Sequence, residues 1–322
     1  MKLFWKKEIS SHIFIIFFVF LSLLTIFGSP RPTVDSFVIL KEAPQKLMQG
    51  LNPYDSTYSR VYKNMEPDYF NYLPLSIVYF LPFVALFNDP RFGLVITMIT
   101  TYLLLNKLQK KNTEQKSLYS SLFLFAPRSF YMIEHAYLDT VIFFLFVLAL
   151  YFQERKKYKL FSLVLSCFFL FKQNMIILFP LFIKKLFQKR VMLVMFLLPF
   201  LTILIFFLWN PSSFFKNVVT VNQPTGIIMK GAPFQMSVTI PNIVYQLFNI
   251  PLEQMQSVFM VCAVVALLIT ILLMIDTKLT LNRKIVLILF FGYFFSYHAF
   301  FNSYYLVLLF LLFDFISLKK IY

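Results

Sequence analysis

The chain has 322 residues, 59% of them hydrophobic and only 14% charged, and carries a net charge of +16. Soluble domains hold about 25% charged residues, so the composition excludes an ordinary water-soluble domain and points to lipid as the solvent. The positive balance alone fits either a nucleic acid or the orientation of a membrane protein, and the placement of the charges decides between them.

Taken along the chain, residues 11–28 form the first apolar stretch, preceded by Lys2, Lys6 and Lys7. The arrangement is like a secretory leader, but Ile26 and Phe27 are too large for the small-residue cleavage pattern. The expectation is an uncleaved first helix with a cytoplasmic N-terminus. Further apolar stretches lie at 92–107, 117–133, 139–153, 160–171, 174–183, 191–209, 256–275, 284–297 and 304–318. Each is read as a crossing of the roughly 30 Å hydrocarbon layer, short or broken ones included, which gives about ten spans. Residues 70–87 are also apolar, but Pro74 and Pro82 favour a broken element that lies on the interface or re-enters.

That reading sorts the charges. Basic clusters at 2–7, 107–116, 155–159, 184–190, 278–284 and 319–320 all fall on the inner side, with 20 Lys and Arg against five acids. The outer side holds the other 10 bases and nine acids, so the net charge is +15 inside and +1 outside. This is an orientation signal, and it excludes nucleic acid as the expected partner. The expectation is an all-α, polytopic bundle in the cell membrane, a single domain over 1–322 with no internal repeat, and amphipathic helices in the outer loop 29–91. The cysteines, Cys167 and Cys262, lie in apolar runs and read as small core residues. No zinc spacing and no phosphate-cradling glycine loop occurs.

The chemistry therefore belongs on the outer face. In the loop 29–91, apolar and polar residues alternate with helical spacing, and Pro44 predicts two short pieces lying on the membrane. The run Gly50-Leu51-Asn52-Pro53-Tyr54 then predicts a helix stop and a turn. Asp35 stands at the top of the first helix. It suits an N-cap, and equally a general base whose pKa partial burial would raise. Glu134 and Asp139 are further outer carboxylates with His135 between them, and Asp139 also suits a helix N-terminus. These four groups could surround a cation, but their spacing does not require one, and no metal is expected. Arg128 and Lys172 fall in or beside apolar stretches, where a charge snorkels, pairs with an acid such as Glu134, or meets a phosphate.

Several of these residues carry a resemblance. Asp35, the Gly50–Tyr54 turn, Tyr72-Leu73-Pro74 and Pro82 together resemble the GT-C superfamily of membrane glycosyltransferases, with family 87 and related polyprenyl-phosphate-mannose enzymes most alike. The run "APRSFYMIEHAYLDTVIFF" looks like the superfamily's second outer turn, and "FKQNMIILFPLFIKK" looks like its Lys-Pro helix with Gln173 in the proline's place. The resemblance implies a GT-C bundle and metal-independent, inverting transfer of a hexose, with mannose the expected sugar. The donor would be a polyprenyl or dolichyl phosphate sugar, and the acceptor a lipid or glycan on the outer face. It implies Asp35 as base, with Asp139 and Glu134 as further catalytic candidates. Lys172 and Arg128, with His298 and Lys230 behind them, become candidates for the donor phosphate. Asn52, Tyr54, Tyr72 and His135 become candidates for substrate contact, and no cofactor is implied. The competing expectation is a transporter or flippase of lipid-linked sugars, which predicts inverted repeats and polar residues at mid-span. A scaffold with a decayed site is the third.

Overall fold

The computed structural model describes residues 11–61, 69–109, 116–187, 190–220, 237–251 and 254–317, and these are all-helical with no strand. Helix α1 (Ser11–Gly28) is apolar on every side. The line Phe18, Ser22, Ile26, spaced by four, is buried against protein, while Ile16, Phe20 and Phe27 are exposed. Such a helix belongs in lipid.

Helix α2 (Asp35–Met48) runs unbroken through Pro44, which corrects the expectation of two pieces. Proline removes one backbone donor, and its ring disturbs the preceding turn. Here Pro44 is buried with Phe37, Leu40 and Ala43, and packing against α3 (Pro74–Phe87) holds the helix together. Gly50 ends α2 as the spacing predicted. At φ +75° its N–H donates to the Leu47 carbonyl at 3.0 Å and that of Leu51 to Lys46 at 2.9 Å. The turn Pro53–Asp55 follows, with Asn52 Oδ1 accepting from the Tyr54 N–H at 3.0 Å.

Helix α3 likewise continues through Pro82. It meets α4 (Arg91–Leu108) at 113°, the turn being made at Asn88, whose φ is 57°. Residues 70–87 are thus the first arm of a sharply bent pair. Two features fix the corner. A Cβ on Gly93 would lie 2.7 Å from the Phe83 ring, so with Phe83 in place the arms close this tightly on a glycine. Arg91, 1% exposed, is held by the Asp89 carboxylate at 2.6 Å and donates to the carbonyls of Ser29 at 2.7 Å and Ile26 at 3.2 Å. The corner is thereby tied to the end of α1.

The remaining helices are α5 (Lys116–Leu124), α6 (Ser129–Glu134), α7 (Asp139–Glu154), α8 (Tyr158–Phe169), α9 (Pro180–Leu186), α10 (Arg190–Leu197), α11 (Phe200–Trp209), α12 (Pro211–Phe215), α13 (Ile240–Phe248), α14 (Met255–Ile275), α15 (Leu281–Phe294) and α16 (Phe301–Ser317). The core lies where α7 packs against α4, α8 and α16. Phe143 stacks on Phe123 at 5.1 Å and meets the edge of Phe310 at 5.3 Å; Phe146 meets Phe310 at 4.9 Å.

Two stretches, Met192–Trp209 and Met255–Ile275, are long and apolar enough to cross a membrane, and the α3–α4 pair makes a third if it is one bent span. The expected ten crossings are not shown. The stretch 117–133 divides into α5 and α6, of nine and six residues, around Pro127 and a left-handed Arg128. The stretches 160–171 and 174–183 become α8, the 3-10 turn Gln173–Leu178 and the seven-residue α9. At about 1.5 Å per residue the short pieces do not reach across 30 Å. On α14 the side chains of Met260, Val264, Leu267, Leu268 and Leu272 are all more than half exposed. A surface so apolar on the long helices fits membrane association.

Candidate functional site

Four turns meet in space. They are the entry to α2, the α6–α7 turn, the segment before the Gln173–Leu178 turn, and the α15–α16 turn. Asp35 opens α2 behind the extended residue Val34, so it is the first helical residue and not the cap. Its carboxylate is exposed, accepts from the Ser36 N–H at 2.8 Å, and sits at the positive end of the helix dipole. Ser36 Oγ donates to the His135 carbonyl at 2.6 Å, which fastens α2 to the α6–α7 turn.

In that turn the His135 ring packs against Tyr131, 4.1 Å away, and Tyr137, nearly parallel at 5.8 Å, and the two tyrosines also touch at 5.9 Å. Its Nδ1 donates to the Tyr131 carbonyl at 3.1 Å and lies 3.8 Å from Glu134. Among the described residues no ion pair joins Glu134 to Arg128. The exposed Arg128 guanidinium lies 4.0 Å over Phe301 and 5.8 Å over Tyr131, and no described carboxylate pairs with it.

Asp139 begins α7 with no exposure at all. A buried carboxylate needs donors on both oxygens, and it has them: Lys172 Nζ at 3.0 Å from Oδ1, and Asn302 Nδ2 at 3.2 Å from Oδ2. For Lys172 the sequence left open pairing with an acid and contact with the donor phosphate. The structure pairs it with Asp139, 33 residues away. Around this pair, His298 Nε2, Asn302 Oδ1 and Thr140 Oγ1 are buried and have no hydrogen-bond partner among the described residues. Burial and then the Lys172 charge push the His298 imidazole down to about 4, so it is neutral at pH 7.

Tyr72 joins the two halves. Burial raises its hydroxyl well above the usual tyrosine range, and the charges of Asp35 and then Asp139 raise it further. Its backbone carbonyl accepts from the Tyr54 hydroxyl at 2.7 Å. Tyr54 is 2% exposed, packs against Phe70 and Phe214, and accepts at its own carbonyl from Asn217 at 2.6 Å. Asn52 and Tyr54, expected at the substrate, thus sit in the framework that carries Tyr72. Gln173 Nε2 donates to the Asn71 carbonyl at 2.6 Å and ties the same framework to the Lys172 segment. Lys230 lies outside the described residues.

Sequence reasoning missed Asn302, Asn174 and Ser36. The polar run 296–303 and "FKQN" between apolar stretches were the available signals. Asn174 Nδ2 donates to the Tyr293 hydroxyl at 3.2 Å beside the charged pair. Among the described residues no group of three or more His, Cys, Asp or Glu is placed to hold a metal ion. No protein-family model matches this chain and no curated protein matches it.

Proposed function

We propose that the protein is a membrane glycosyltransferase of the GT-C kind, moving a hexose from a polyprenyl-phosphate donor to a hydroxyl acceptor, with Asp35 as general base. The observation that carries this reading is the exposed Asp35 carboxylate at the head of α2, a helix that the Ser36–His135 hydrogen bond fastens to the turn leading into the buried Asp139–Lys172 pair. It adds to the likeness of the Asp35, Gly50–Tyr54 and Tyr72–Pro74 elements to that superfamily. An exposed carboxylate offers a base that an acceptor hydroxyl can reach from outside.

In the transfer step the acceptor oxygen bonds to the anomeric carbon while its proton passes to Asp35. The bond from that carbon to the phosphate oxygen breaks, and polyprenyl phosphate leaves with the electron pair. Attack opposite the leaving phosphate inverts the anomeric centre. Arg128, stacked on Phe301 and free of described carboxylates, is the cation assigned to the phosphate.

The test is a transfer assay with membranes containing wild type or Asp35→Asn, labelled polyprenyl-phosphate mannose and a native lipid extract. Loss of a general base lowers transfer by roughly 10²–10⁴-fold. Equal transfer by a correctly folded Asp35→Asn overturns the assignment of the base. Lipid movement without donor consumption favours the transporter instead.

A further inference from the structure

We infer that the buried polar cluster of Asp139, Lys172, Asn302 and His298 opens into a recess that takes an uncharged, hydroxyl-rich group and not the phosphate. In the glycosyl-transfer reading, on which this inference rests, that group is the hexose ring of the donor.

Charge is the first ground. Lys172 is the cation of the recess, and it is 3.0 Å from the fully buried Asp139 carboxylate. The pair is neutral as a unit, so it has no surplus positive charge to offer a phosphate. Hydrogen-bond polarity is the second. Asn302 has its amide orientation fixed, because Asp139 can only accept and the contacting atom must therefore be the Nδ2 donor. That leaves Asn302 Oδ1 as a buried acceptor with no partner among the described residues. His298 Nε2 is in the same condition, on a ring that is neutral and feels the Lys172 charge. A phosphate oxygen facing Asn302 Oδ1 would set acceptor against acceptor. A hydroxyl donates to Asn302 Oδ1 and meets His298 Nε2 in either tautomer.

Orphaned buried polar atoms are rare in folded proteins, since each forfeits the solvation it had in water. Asn302 Oδ1 and His298 Nε2, four positions apart in the sequence, are two that a hydroxyl-bearing group would satisfy. The carboxylate of Asp139 and the ammonium of Lys172 polarise the same space, which strengthens hydrogen bonds made there. The phosphate falls instead to the exposed Arg128, whose guanidinium covers Phe301, the residue next to Asn302. Sugar inside and phosphate at the rim follow from that adjacency.

The experiment measures binding to the full chain in lipid nanodiscs. The probes are polyprenyl-phosphate mannose, polyprenyl-phosphate glucose and bare polyprenyl phosphate. Wild type is expected to bind at least one sugar-bearing lipid roughly 5- to 30-fold more tightly than the bare phosphate. Asn302→Leu brings the two to near parity, the sugar-bearing lipid losing more affinity than the bare one. His298→Phe removes part of the preference, and it carries the test alone if Asn302→Leu does not fold. A wild-type protein that binds all three lipids equally overturns the subsite and leaves the lipid-donor reading standing. A preference that survives both variants also overturns the subsite. Binding to none of the three overturns the transferase reading and the subsite with it.

Discussion

Replacing Lys172 by methionine isolates the energetics of the recess. The substitution keeps the length of the side chain and removes its charge. Asp139 is 0% exposed and Lys172 15% exposed, so the carboxylate cannot recruit bulk water in place of the lost ammonium. It keeps only the Asn302 contact at 3.2 Å. Removing one partner of a buried pair costs about 3–5 kcal/mol, because an uncompensated charge remains. In the double variant Lys172→Met with Asp139→Asn, no charge is left, and the carbonyl oxygen of the introduced asparagine still accepts from Asn302. That protein is expected to recover all but about 1–2 kcal/mol. The assay is thermal unfolding of detergent-solubilised protein, with the exposed Lys159→Met as control, expected within about 0.5 kcal/mol of wild type. Lys172→Met should melt roughly 6–15 °C below wild type. If it melts with the control, or if the double variant is as unstable as the single one, Asp139 is not sealed from water and the reasoning fails.

Gly93→Ala places a methyl group 2.7 Å from the Phe83 ring and is expected to lose about 1–3 kcal/mol, most of it restored by adding Phe83→Leu; unfolding of both variants checks this. Arg91→Met leaves Asp89 and two carbonyls at the end of α1 without their donor. A loss of about 3–5 kcal/mol follows, and Arg91→Lys is expected to rescue little because the planar fork is what reaches all three acceptors. His298 titrates at about 4 in the folded chain against an ordinary 6.5. As pH falls, the unfolded chain takes up that proton first, so this group's contribution to stability is lost from about pH 6.5 down to 4. His298→Phe should remove that slope from a plot of melting temperature against pH.

The helical character of the chain, the glycine stop at Gly50 and the turn at Asn52-Pro53-Tyr54 were legible because each rests on local chemistry. Helix continuity was not. Pro44 and Pro82 read as breaks, yet both helices run through them, since α2 and α3 pack against each other and hold the turns in place. Conversely, the stretch 117–133 looked continuous and is divided at Pro127 and Arg128. At the site, the sequence singled out Asp35, Asp139, Lys172 and His298 by their position at the ends of apolar stretches. It could not show that Lys172 neutralises Asp139, or that Asn302 completes the pair, because those residues come from three separate turns. Asn52 and Tyr54 illustrate the reverse case. Their motif is visible, but only packing shows that it braces Tyr72 from below.

The hold that Arg91 has on α1 bears on how the chain is assembled. Its carbonyl acceptors on Ser29 and Ile26 lie 62 and 65 positions earlier. At a synthesis rate of about 5–20 residues per second, the end of α1 waits roughly 3–13 seconds for the guanidinium that will close it. All of α2, with Asp35, and all of α3 emerge in that interval. They lie inside a ring whose neck is shut last, by one side chain. Prising α1 from α4 at any later time opens the neck and leaves the segment on which the carboxylate rides held by α3 and by the Ser36–His135 bond.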